Sequence, residues 1–104
     1  MKPAVRAQLL VDFAALTIND FGDSGRAITL LREATELVPN NYVYRKMLVN
    51  ILALSGNHQS AIDELERMLA IKRWKDISFE PNEQITQMRQ QLRQAISENQ
   101  VPVD

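Results

Sequence analysis

Apolar residues recur along most of the chain at intervals of three and four, a spacing that places them on one face of an α-helix. Alternation of apolar and polar residues, which would indicate a β-strand, never persists for long. Gly22, Gly25 and Gly56 lie between the periodic segments, and Pro39 and Pro81 precede or open one. This pattern predicts an all-α protein.

Four helices are predicted before residue 75, arranged as two antiparallel pairs. The leading helix of each pair should end at Gly22 or Gly56, because a residue without Cβ can adopt the left-handed conformation that closes a helix. Asp23 or Ser24, and later Asn57, are expected to cap the helices that follow. The predicted helices span about residues 3–19, 24–38, 41–55 and 58–73.

The chain also resembles itself when it is shifted by 34 residues. The shift aligns identical residues: Gly22 with Gly56, Ala27 with Ala61, Ile28 with Ile62, and Leu31 with Leu65. Alanine at the two equivalent positions allows each helix to cross its partner closely. Most of the buried area is expected from leucines, namely Leu31, Leu37, Leu48, Leu52, Leu65 and Leu69.

This pattern resembles the tetratricopeptide repeat (TPR) family, in which a glycine, an alanine, a large apolar residue, a small residue and a proline follow at fixed spacing. The first unit has all five, in Gly22, Ala27, Leu31, Ala34 and Pro39. The second keeps the first three and departs at the last two, with Met68 and Arg73. The resemblance covers about residues 8–75. It implies a right-handed superhelix of two helix-turn-helix repeats, at about 8–41 and 42–75.

A capping helix is predicted beyond residue 75, where the repeat register ends. After the apolar connector Ile77-Ser78-Phe79, Pro81 suits the first turn of a helix over about 81–98. One face of that helix is apolar, and glutamines occupy much of the other, as suits the last helix of a repeat array. Residues 1–104 are therefore expected to form one TPR-like domain of five helices. Two repeats are fewer than the roughly three that usually stack stably. Either the capping helix makes up the deficit, or the chain dimerises, or the domain is part of a larger protein, as we expect.

Charge and composition narrow the possible partners. Twelve basic residues and thirteen acidic residues give a net charge of −1, which argues against nucleic acid or an anionic membrane as the partner. No apolar run approaches the ~18 residues of a membrane span, so we expect a soluble protein without membrane insertion. The absence of cysteine excludes disulfides and thiolate metal sites. It fits cytoplasm and periplasm alike, of which we favour the cytoplasm.

Catalytic and metal-binding patterns are missing, so we expect neither an enzyme nor a bound cofactor or metal. His58 is the single histidine and has no cysteine to share a metal with. Asp63, Glu64 and Glu66 are close in sequence, but adjacent residues of a helix point apart, and a solvated face is expected there.

A basic cluster, Lys72-Arg73-Trp74-Lys75, has two interpretations. The indole could stack on a nucleic-acid base beside the cations, or the cations could follow a helix C-terminus while Trp74 fills space beneath the capping helix. The near-neutral net charge favours the second interpretation.

The TPR resemblance implies that the leading helices line a concave groove. The implied groove residues are Leu9, Asp12, Leu16, Asn19, Val43, Lys46, Asn50 and Leu54, with Asp20 and Ala53 beside them. Lys46 and Asn50 are similar to half of the family's carboxylate clamp, in which a lysine and an asparagine bind the C-terminus of a peptide. The other half is missing, because the first unit has Asp12 and Leu16 at the corresponding positions. The apolar members favour an amphipathic helix or an extended peptide as ligand.

The leading hypothesis is thus a protein–protein interaction module or scaffold that binds a peptide or helix of another protein in its groove. A self-association element is the alternative, either a homodimer or the structural end-segment of a longer helical-repeat array. A regulatory appendage of an enzyme in the same polypeptide also remains open.

Overall fold

The computed structural model describes residues 2–99, and these form five α-helices. The helices are α1 (Pro3–Phe21), α2 (Ser24–Leu37), α3 (Tyr42–Leu54), α4 (His58–Leu69) and α5 (Asn82–Asn99). No strand occurs within residues 2–99, which confirms the all-α prediction.

Each helix packs mainly against its neighbours in the chain, from α1 on α2 through to α4 on α5. The Cα atoms extend over 57 × 34 × 16 Å, and the radius of gyration is 14.7 Å. A compact chain of this length would have a radius of gyration of about 13 Å, so the molecule is elongated. Its short dimension accommodates two layers of helices whose axes lie about 8–10 Å apart.

The two glycines that end the leading helices adopt left-handed backbone conformations, as predicted. Gly22 has φ of 63° and Gly56 has φ of 86°. The Gly22 N–H donates to the carbonyl of Ile18 at 3.0 Å and satisfies an acceptor that the end of α1 would otherwise leave free. Both positions would be strained with any side chain beyond hydrogen.

The helix N-termini follow the prediction at Asp23 and depart from it at Asn57, and Asn41 caps α3. The side chains of Asp23 and Asn41 each accept a hydrogen bond from the backbone N–H three residues later, at 3.0 and 2.9 Å. The prediction for Asn57 is wrong. Its amide donates to the Ser55 hydroxyl at 2.9 Å, and α4 begins without a side-chain cap.

The core forms where the helices cross. Ala27 and Ala61 are fully buried, together with Ala34 and Met68 at the next equivalent position of each unit. Of the six leucines expected in the core, four are buried and two are half-buried: Leu31, Leu48, Leu52 and Leu65, then Leu37 and Leu69.

Helix α4 ends at Leu69, four residues before the predicted end. Its last turn tightens, because the N–H groups of Ala70 and Ile71 donate to carbonyls three residues earlier. The chain then leaves the helix and reaches back to the loop between α2 and α3, where the Lys75 N–H donates to the Asn40 carbonyl at 2.9 Å. The basic cluster therefore lies in a connector, not at a helix terminus.

Helix α5 covers one side of α4. Pro81 is buried immediately before it, and the Pro81 carbonyl accepts from the Ile85 N–H at 3.0 Å. Ile85 is fully buried, Met88 and Leu92 are half-buried, and the glutamines of the helix are exposed. Among residues 2–99, no helix has both the length and the apolar character required to cross a bilayer.

Candidate functional site

All eight residues assigned to the groove are exposed, four on α1 and four on α3. On α3, Val43, Lys46 and Asn50 follow one another at intervals of three and four and therefore share a face, which Leu54 extends to the end of the helix. That face is the side of α3 opposite the buried Leu48 and Leu52. The same sequence periodicity thus builds the core and leaves the other side of the helix open.

A cavity of about 320 Å³ lies on this face, and we call it the α3 cavity. Three of the predicted residues, Val43, Lys46 and Asn50, line it. The remaining walls are mainly apolar and come from α3 and the connector: Tyr42, Met47, Ile77 and Phe79. The volume is at the lower end of the range for ligand pockets, which suits one or two side chains of a peptide better than a large cofactor.

The wall that Ile77 and Phe79 contribute is held in place by an interaction between residues far apart in the sequence. The Asp76 carboxylate accepts hydrogen bonds from the first two backbone N–H groups of α3, those of Tyr42 at 2.7 Å and Val43 at 3.0 Å. A carboxylate at this position satisfies free donors and also interacts favourably with the positive end of the helix dipole. Asp76 therefore fixes residues 77–79 beside the exposed face of α3.

Aromatic contacts complete this attachment. The ring of Tyr42 meets Trp74 edge-on at a centroid distance of 5.3 Å and Phe79 at 5.9 Å. Burial, and to a smaller degree the Asp76 carboxylate, raises the pKa of Tyr42 above its ordinary value, so ionisation of the phenol is further disfavoured. Trp74 packs on the start of α3 and helps to hold the connector against it.

The chemistry of the α3 cavity is an apolar surface with one cation at its edge. Lys46 supplies a positive charge and three donors, and the Asn50 amide can both donate and accept. Phe79 is 52% exposed and offers its ring to a ligand. An apolar group next to a carboxylate would be complementary to this arrangement.

The α1 residues of the predicted groove do not line the α3 cavity. Asp12 accepts a hydrogen bond from Gln8 at 2.9 Å, and the Tyr44 hydroxyl of α3 donates to Gln8 at 2.7 Å. Burial raises the pKa of Tyr44, with smaller effects from the Asp12 and Asp76 carboxylates. This polar bridge links α1 to α3.

Leu9 and Leu16 lie on an apolar face of α1 together with Val5 and Phe13, and Asn19 is exposed near the end of that helix. The four predicted residues of α1 are therefore not part of the α3 cavity.

The solvated face predicted for the acidic cluster of α4 is confirmed for Asp63 and Glu66 and wrong for Glu64. The side chain of Glu64 is only 3% exposed, and it accepts from the Arg45 guanidinium at 2.6 Å and from Arg67 at 3.3 Å. Arg45 also donates to the Pro39 carbonyl at 2.6 Å. Asp63 and Glu66 are exposed. The burial of Glu64 cannot be predicted from helix periodicity, because periodicity within α4 does not show that Arg45 of α3 approaches it.

His58 is half-buried in the first turn of α4. Within the part of the chain that the structure describes, no group of three or more His, Asp or Glu side chains is placed to hold a metal ion.

Sequence reasoning missed Asp76, Ile77 and Phe79 as parts of the site. The only available signal was the apolar character of the Ile77-Ser78-Phe79 segment after the repeats. Comparison with protein-family models, with curated proteins and with solved structures finds no match for this chain.

Proposed function

We propose that this chain is a protein-interaction module that binds a peptide segment of another protein at the α3 cavity. The observation that carries the proposal is the combination of Lys46 and Asn50 with an exposed apolar wall that includes Phe79. Apolar surface provides most of the affinity in such sites, while a few polar groups orient the ligand. The preferred peptide has an apolar side chain beside an acidic side chain or a free C-terminal carboxylate.

The rigidity of the cavity supports this proposal. The wall formed by α3 is a regular helix attached to the core, and the Asp76 carboxylate holds the opposite wall. A preformed site loses less conformational entropy on binding than a site that must be ordered by its ligand.

We further propose that the helices form a TPR-like superhelix. The support is the equivalent role of equivalent residues: Gly22 and Gly56 both have positive φ, and Ala27 and Ala61 are both fully buried. Helix pairs that repeat in this way produce extended surfaces on their leading helices, and those surfaces commonly bind other proteins.

A display library of peptides with free C-termini tests the proposed function. Enriched sequences should contain an apolar residue beside a carboxylate, and their affinities can be measured by fluorescence anisotropy. Lys46→Ala and Phe79→Ala should each weaken binding by about tenfold, since each removes roughly 1–2 kcal/mol of interaction.

Lys2→Ala is the matched control, because Lys2 is also an exposed lysine but lies at the start of α1. It should leave peptide affinity unchanged. C-terminal amidation of the selected peptides shows whether the carboxylate is terminal or belongs to a side chain. If selected peptides bind both cavity variants as tightly as the parent protein, the α3 cavity is not the site.

A further inference from the structure

Helix α1 carries most of the exposed large apolar side chains among the described residues. Five of the eight large apolar side chains that are exposed belong to this one helix: Val5, Leu9, Phe13, Leu16 and Phe21. The first four recur at intervals of four, four and three, so they form one continuous face, which we call the outer stripe of α1. Single exposed apolar residues need no explanation, whereas a contiguous stripe marks an interaction surface.

The outer stripe lies opposite the face of α1 that packs into the core. Ala7, Val11 and Ala14 are buried against the rest of the protein, and their positions fall on the other side of the helix from Leu9 and Leu16. Helix α1 is therefore apolar on two sides. A helix with this pattern is typically covered on both.

Charged residues at the two ends of the stripe are self-complementary. Lys2 immediately precedes α1, and Asp20 lies near its C-terminal end on the same side as Leu9; both are exposed. They lie at equal sequence distances from position 11, as Leu9 and Phe13 also do. A two-fold axis at that level pairs two copies of α1 in antiparallel orientation. It places Lys2 of one copy opposite Asp20 of the other, and Leu9 opposite Phe13.

We propose that a second copy of this chain covers the outer stripe, forming a symmetric dimer through antiparallel α1 helices. The symmetry makes every favourable contact occur twice, as in other interfaces of this type. The parallel arrangement is disfavoured because it would bring Lys2 against Lys2 and Asp20 against Asp20. This proposal is independent of peptide binding, since the α3 cavity contains no residue of the outer stripe.

A cavity beside the stripe gives the second copy room to pack. It encloses about 440 Å³ and is lined by Phe13, Thr17, Phe21, Asp23 and Arg26. In the antiparallel arrangement this cavity would lie opposite the N-terminal half of the other α1. An apolar side chain that entered it would also cover part of Phe21, which is 81% exposed in the single chain.

Sedimentation equilibrium of the 104-residue chain tests the dimer. The parent protein should have twice the chain mass of 11.9 kDa, and Leu9→Asp should raise the dimer dissociation constant by at least about a hundredfold, because the charge enters the interface twice. Leu54→Asp is the control, since Leu54 is 87% exposed on α3 and should leave the dimer intact. A parent protein that stays monomeric at 200 μM, or a dimer insensitive to Leu9→Asp, overturns the proposal.

Charge exchange tests the antiparallel register without placing a charge in the apolar interface. Lys2→Glu and Asp20→Lys should each weaken the dimer by several-fold, because each creates like-charge pairs at both ends. The double variant restores opposite charges and should recover most of the parent affinity. Recovery supports the register, and failure of the double variant to improve on either single variant contradicts it. Circular dichroism verifies that each variant retains its helices.

Discussion

Two carboxylates show how strongly the role of a single residue depends on its distant neighbours. Asp76 is exposed in an irregular segment, yet it binds the first two N–H groups of a helix more than thirty residues earlier in the chain. Glu64 lies between Asp63 and Leu65 in α4, yet its side chain is buried against Arg45 of α3. Each of these acidic side chains joins two segments of the chain, and neither interaction can be recognised from the residues next to it.

At the residue scale, we predict that Asp76→Ala destabilises the protein by about 1–2 kcal/mol. The substitution leaves two donors at the start of α3 without their charged acceptor. Urea denaturation followed by circular dichroism measures the change. Asp63→Ala, which alters an exposed helical aspartate, should change stability by less than about 0.5 kcal/mol. Equal effects of the two substitutions would show that the capping interaction contributes little.

The helices themselves are specified by a small number of positions. Glycine ends α1 and α3, alanine begins the close crossings within each pair, and leucine fills the layer that follows. Ala61 is fully buried, and a close-packed protein interior has little room for a larger side chain at such a position. The angle and separation of α3 and α4 therefore depend on a side chain of one methyl group.

At the scale of these elements, we predict that Ala61→Leu lowers stability by about 1–3 kcal/mol through overpacking. Thermal unfolding should show a midpoint that falls by roughly 4–8 °C for each kcal/mol lost. Ala70→Leu makes the same substitution at an exposed alanine beyond the end of α4 and should have little effect. A neutral result for Ala61→Leu would contradict the 34-residue register on which the TPR resemblance depends.

The molecule as a whole is a row of helices in which the main contacts connect successive elements. The buried apolar residues form one continuous core from α1 to α5, and each helix is stabilised mainly by the helices next to it in the chain. Helix α5 is attached mainly through α4, and Ile85 is its fully buried side chain. The last helix should therefore be able to detach while the first pair remains folded.

At the scale of the whole molecule, we predict that Ile85→Ala weakens the docking of α5 by about 2–5 kcal/mol. Native-state hydrogen exchange should show faster exchange in α5 and then α4, while α1 and α2 stay protected. Gln87→Ala, on the exposed side of the same helix, should leave the exchange pattern unchanged. Equal acceleration in all five helices would mean that the molecule unfolds only as one unit.

The features that sequence alone determined are those encoded within a few residues of one another. Helix number, the glycine termini and the buried alanines of each pair follow from apolar spacing and from backbone preferences that act locally. The exposed face of α3 was predictable for the same reason, because its residues share one helical period. Three of its predicted residues line the α3 cavity.

Only the tertiary structure decided how those helices and their connector meet. The early end of α4, the Glu64–Arg45 pair and the wall of the α3 cavity formed by residues 77–79 all depend on contacts between residues 19 to 35 positions apart. A carboxylate or an aromatic ring has nearly the same local preferences whether solvent or another helix surrounds it. Its role is therefore set by the stacking of the helices, which brings distant segments together and leaves one side of α1 uncovered.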